Sequence, residues 1–130
     1  MNFPKELRYT KTHEWARRVD NLVVIGITEY AQHEISDVVF VELPHVGQEV
    51  KQGKPVSIVE SVKAAFDIYA PVSGTIKAIN TMLESNPGLV NDDAYGKGWL
   101  FELSVANPEE WGTLMTHDQY EQMIHQEHSK

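Results

Sequence analysis

The chain has 130 residues and a mass of 14.8 kDa, and 42% of it is hydrophobic. That is the size of one domain, with enough apolar material for a core that needs no covalent staples. It contains no cysteine, which excludes disulfides, cysteine nucleophiles, zinc ribbons and iron–sulfur clusters and leaves any thiol chemistry to an attached group. Nineteen acidic against eleven basic residues give a net charge of −8 and a pI near 5.1, a balance opposed to nucleic-acid or anionic-membrane partners. No apolar run approaches the ~20 residues of a membrane span. The start, Met1-Asn2-Phe3-Pro4-Lys5-Glu6, resembles neither a signal nor a transit peptide, so a cytoplasmic protein is expected.

Trp15 to Arg18 and Leu22 to Ile27 read as a first strand pair turning at Asp20-Asn21, two residue types that tolerate a left-handed backbone. Thr28 then caps a short helix near 28–36, with Glu29 in its first turn and Ala31 and Ile35 on one face. Val38 to Leu43 returns to strand, and Gly47 and Gly53 bound another. Val56 to Val62 and Phe66 to Ala70 are the clearest strands; their alternation puts Val56, Ile58 and Val62 on one face and Phe66, Ile68 and Ala70 on one face. So few residues separate them that they form a hairpin with Lys63 at or beside its tip.

Thr75 to Ile79 and Trp99 to Val105 complete the strands, separated by a polar loop, Leu83 to Gly98, long enough to raise the prospect of a functional role. Asn107-Pro108-Glu109-Glu110 opens one helical segment. Thr116-His117-Asp118-Gln119 is a capping box opening a second, with Tyr120, Met123 and Ile124 on one face and a fraying polar end. The fold class is mostly β, or α+β, in a single domain over 1–130.

Enzyme templates fail one by one. His13-Glu14-Trp15-Ala16-Arg17 lacks the second histidine of a zinc helix, and no P-loop, nucleophile elbow or dinucleotide fingerprint is present. His125 and His128 have no third ligand nearby and read as a solvated pair; Asp92-Asp93 lacks the spacing of a calcium loop. The hairpin tip is different. Such tips usually carry Asn-Gly or Asp-Gly, whereas Val62-Lys63-Ala64-Ala65 is small and apolar around one amine, as suits a partner that must grip the hairpin and reach that amine.

Six ordered segments carry a resemblance over nearly the whole chain: Thr12-His13-Glu14-Trp15, Gly26-Ile27-Thr28, Val39-Phe40-Val41-Glu42-Leu43-Pro44, Glu60-Ser61-Val62-Lys63-Ala64, Ala70-Pro71-Val72-Ser73-Gly74 and Gly96-Lys97-Gly98-Trp99-Leu100. Together they resemble the H-protein family of the glycine cleavage system, lipoyl carriers built as a flattened β barrel-sandwich hybrid with C-terminal helices. The resemblance implies lipoate in amide linkage on Lys63, with Glu60, Val62, Ala64 and Gly74 serving the hairpin and its recognition by a lipoate ligase or lipoyl/octanoyl transferase. Val62 and Ala64 stand where lipoyl domains of 2-oxo acid dehydrogenases show aspartate and biotin carriers show methionine.

The family's partners are the pyridoxal-phosphate decarboxylase (P-protein), the folate-dependent aminomethyltransferase (T-protein) and the flavin dehydrogenase (L-protein). The chain itself is then no enzyme but the shuttle of the aminomethyl group between them. Related readings are a donor relaying lipoyl groups to 2-oxo acid dehydrogenase subunits and an interaction module that has lost its cofactor. The resemblance also implies a cleft that keeps water from the loaded arm and holds its cationic amine, with Thr12, Glu14 and Asp67 as candidates. One position departs from the family: its helical histidine corresponds to Glu34, with His33 one place earlier and so about 100° away around the helix.

Overall fold

The computed structural model describes residues 1–128, the side chain of His128 excepted. In chain order the strands are β1 (Arg8–Tyr9), β2 (Glu14–Val19), β3 (Leu22–Ile27), β4 (Val38–Glu42), β5 (Glu49–Val50), β6 (Pro55–Ser61), β7 (Ala65–Tyr69), β8 (Gly74–Ile79) and β9 (Phe101–Val105). The helices are α1 (Glu29–Ile35), α2 (Met82–Ser85), α3 (Leu89–Asp92) and α4 (His117–His128), with a 3-10 turn at Pro108–Thr113. One antiparallel sheet is ordered β1-β2-β3-β9-β8-β5 and the other β4-β6-β7. Val23, Ile25, Leu103 and Ile76 of the first pack with Val41, Val59 and Ile68 of the second in a common core. Two antiparallel sheets packed on a common core form a barrel-sandwich, which matches the expected mostly β class.

Local chemistry accounts for the joints. Asp20 takes the left-handed backbone (φ 56°) that closes β2 onto β3. Thr28 caps α1 by accepting from Ala31 N–H at 3.2 Å. The capping box at the start of α4 is reciprocal: Thr116 N–H donates to Gln119 Oε1 at 2.9 Å, and Gln119 N–H donates to Thr116 Oγ1 at 3.3 Å. That helix lays Tyr120 and Ile124 into a second apolar cluster with Phe3, Leu7, Tyr9 and Trp15, where Tyr9 and Tyr120 stack with ring centroids 4.7 Å apart. It continues past Ile124 to His128, so the expected fraying is not seen in the described residues; the side chain of His128, half of the expected histidine pair, lies outside them.

Several expectations need correction. The strand between Gly47 and Gly53 shrinks to Glu49–Val50, because both glycines turn the chain with positive φ. Val56 and Ile58 share one face of β6 as expected, with Val62 beyond the strand in the turn; the buried face is the opposite one, Ser57, Val59 and Ser61. The two serines tolerate burial because Ser57 Oγ donates to Glu42 O and Ser61 Oγ to Ala64 O. The polar stretch 83–98 is not one loop but contains α2 (from residue 82) and α3, anchored by the buried Leu83 and Val90 and tied across its ends by Asn80, whose Nδ2 donates to Lys97 O and Trp99 O. Trp99 is half-buried against the second cluster.

Gly74 sits in β8 between Val50 and Val105, in the opposite sheet from the hairpin it was assigned to. Its function there is steric: a Cβ would lie 1.8 Å from the carbonyl oxygen of Ser104. Gly74→Ala must therefore push β8 off β9, and chemical denaturation should show a loss of about 3 kcal/mol.

Candidate functional site

β6 and β7 close with Glu60 opposite Ala65, leaving Val62, Lys63 and Ala64 to turn the chain. Ser61 organises that turn. Its Oγ accepts from the backbone N–H groups of Lys63 (3.1 Å) and Ala64 (3.2 Å), while its own N–H donates to Ala64 O at 2.9 Å. Such a side-chain-to-backbone turn replaces the Asn-Gly solution, and none of the tip residues adopts positive φ. Lys63 and its neighbours Val62 and Ala64 are all exposed. Glu60 is half-buried beside them on β6.

The tip leans on the corner between α1 and β4. Val62 N–H donates to Asp37 O at 3.1 Å, and Lys63 Nζ donates to Glu34 O at 3.0 Å, at the negative end of the α1 dipole. Ser36 turns this corner at φ 68°, ψ −154°, a conformation close to glycine's territory. Asn91 holds it there. Its Oδ1 accepts from Val38 N–H at 2.8 Å, and its Nδ2 donates to Ser36 O at 2.8 Å and Gln32 Oε1 at 3.1 Å.

Between α1 and β7 lies a cleft of about 240 Å³. Ile27, Ile35 and Ile68 give it an apolar base, and Thr12, His13, Tyr30, Glu34 and Asp67 give it polar walls. The structure thus brings Thr12 and Asp67 together there. Glu14 lines a separate groove of about 430 Å³, which Thr12 and Tyr69 also line. Glu34, not His33, faces the cleft.

Glu14 is buried among donors. Thr10 and Thr12 donate their hydroxyls to Oε1, the latter at 2.6 Å, and Tyr69 N–H donates to Oε2 at 3.2 Å. Burial nevertheless dominates and pushes its carboxyl pKa up, these hydrogen bonds pulling the other way. His13 is pushed down, again by burial, against the opposing charges of Glu127 and Glu34.

Sequence reasoning missed Ser61, Asn91 and the placement of His13. A serine opening the tip was a readable turn signal; Asn91 and His13 act through partners distant in the chain and left none.

Two outcomes follow. A raised carboxyl pKa stabilises the fold below the ordinary glutamate value and loses that contribution as pH climbs from about 4.3 towards the folded-state value. Urea titrations across that range should show this slope in the parent chain and a shallower one in Glu14→Gln. Ser61→Ala leaves the tip N–H groups without their acceptor and should lower the unfolding free energy by about 1–2 kcal/mol, read by the same titration at fixed pH.

The family description "Glycine cleavage H-protein" matches residues 7–127. The glycine cleavage system H protein of Methylacidiphilum infernorum is 47% identical over 124 residues, covering 95% of this chain and 97% of that one. The H protein of Thermus thermophilus is 48% identical over 127 residues, covering 98% and 99%. Among solved structures, the glycine cleavage system H protein of Mycobacterium marinum superposes with a TM-score of 0.87 at 35% identity, covering 94% of this chain and 98% of that one. With the same barrel-sandwich and a lysine-tipped hairpin at its surface, the chain belongs to the glycine cleavage H-protein family.

Proposed function

We propose that this chain is a non-catalytic lipoyl carrier that takes lipoate on Lys63 and shuttles the aminomethyl group of glycine from the P-protein to the T-protein, the L-protein then restoring the arm. The observation that carries this reading is the tip itself: an exposed amine on a serine-braced turn, flanked by small apolar side chains, beside a cleft walled by carboxylates.

The residues fit the group. A ligase can approach Nζ past Val62 and Ala64 without displacing any packed side chain, since both are exposed. Acylation converts the ammonium into a neutral amide, which weakens its hold on Glu34 O. Lipoate, when bound, supplies the disulfide through which the one-carbon amine is accepted and carried. The chain's own residues do the rest. Ile35 and Ile68 offer apolar surface for a hydrocarbon arm, the narrow cleft restricts water, and the carboxylates of Asp67 and Glu34 attract a cationic amine.

Intact mass of the chain coexpressed with lipoate and its ligase should rise by one lipoyl group, and Lys63→Ala should abolish the gain. A biotin-sized gain, or none, would refute the assignment. With P- and T-proteins the loaded chain should support glycine cleavage; transfer of lipoate to an apo 2-oxo acid dehydrogenase domain in place of cleavage would identify a relay. Asp67→Ala should release formaldehyde from the loaded carrier about tenfold faster, and an unchanged rate would remove Asp67 from the cleft's function.

A further inference from the structure

Helix α4 reaches the cleft through Tyr120. This fully buried residue makes two hydrogen bonds through its hydroxyl, to His13 Nδ1 at 2.9 Å and to Thr28 Oγ1 at 2.8 Å. Their directions follow from counting protons. Thr28 is fully buried, and its oxygen already accepts from Ala31 N–H. Its own proton has one acceptor among the described residues, the oxygen of Tyr120. Tyr120 must then give its proton to His13 Nδ1. That nitrogen carries a lone pair, so the hydrogen of the neutral ring sits on Nε2. Nε2 has no hydrogen-bond partner among the described residues, and His13 lines the cleft.

The reverse order, with Nδ1 donating to Tyr120 and Tyr120 to Thr28, strands the threonine proton in a site closed to water. Protonating the ring strands a hydroxyl proton as well, because Nδ1 then donates and no acceptor remains for one of the two hydroxyls. Burial of the imidazole disfavours its charge in the same sense.

We propose that Tyr120 is a positioning residue that holds His13 neutral with its hydrogen on Nε2, so that the cleft presents a donor there and neither a base nor a cation. The proposal rests on reading the cleft as the seat of a cationic one-carbon amine attached through sulfur. Such a group is inert as the ammonium. When a base removes one proton, the nitrogen lone pair forms a C=N bond and the C–S bonding pair leaves on sulfur as thiolate. Water then adds to the iminium, giving formaldehyde and ammonium. An imidazole with a free lone pair is the base best matched to neutral pH. The other ionisable groups around the ring among the described residues are Tyr30 and Glu34 of α1, Glu127 and Tyr120 of α4, Glu14 next in the chain and Asp67 in the same cleft.

The test combines nitrogen NMR of isotope-labelled imidazoles in the unloaded chain with formaldehyde release from the loaded one, for the parent and Tyr120→Phe. The parent ring should bear its hydrogen on Nε2 and titrate below the ordinary histidine value. Tyr120→Phe should raise that pKa, mix the tautomers and speed release about tenfold. The double variant His13→Asn with Tyr120→Phe removes the ring, asparagine being suited to the positive φ of 76° at this position. Slow release restored there assigns the acceleration to the imidazole. Fast release persisting there means that Tyr120→Phe only loosens α4, and overturns the proposal. A parent ring with its hydrogen on Nδ1 overturns it outright. A chain that cannot be loaded refutes the carrier reading, while the parent spectrum still decides the hydrogen placement.

Discussion

The amide of Asn91 grips the corner between α1 and β4 at three points, and the presentation of Lys63 descends from that grip. Ser36 occupies a backbone region that costs a non-glycine residue about 1–3 kcal/mol and persists only where its surroundings over-determine it. With the corner held, the carbonyls of Glu34 and Asp37 point at the hairpin and receive Lys63 Nζ and Val62 N–H. Asn91 is itself placed by α3, whose Val90 is fully buried in the main core. The apolar interior thus fixes a surface lysine through a short series of polar contacts.

The same division of labour governs the charges. Glu14 is buried and His13 half-buried, and burial pushes each towards its neutral form. The threonine hydroxyls on Glu14 and the tyrosine hydroxyl on His13 give these groups fixed hydrogen-bonding partners without countercharges. Asp67 and Glu34 remain exposed on the cleft walls. A carboxylate left in reach of water can exchange its partner at low cost, which suits the cleft role proposed above.

Where the local signal and the tertiary outcome agree, the sequence was readable. Asp20-Asn21, Thr28, Asn107-Pro108 and the Thr116–Gln119 box each act within a few residues of themselves, and each stands where the sequence places it. The inward face of β6 was not legible because Ser57 and Ser61 look like solvent residues until their acceptors, Glu42 O and Ala64 O, are known. β1 is two residues long and pairs by tertiary context alone. In 83–98 the polar composition hides two anchors, Leu83 and Val90, in helices of four residues each. The site divides the same way: Lys63 was legible because its surroundings are local, whereas Glu34, Asn91 and Tyr120 enter through contacts that no spacing in the chain records.

The serine-braced tip makes the base of Lys63 a pivot. Because the turn is hydrogen-bonded on both sides of the lysine, motion is confined to the side chain and whatever it carries, and the carried group sweeps a shell of fixed centre. A partner docked within that shell meets the group as an intramolecular neighbour, at an effective concentration on the order of millimolar for a short tether. In the carrier function proposed above, successive partners exchange one cargo at rates set by their own docking and release, without ever having to capture it from dilute solution.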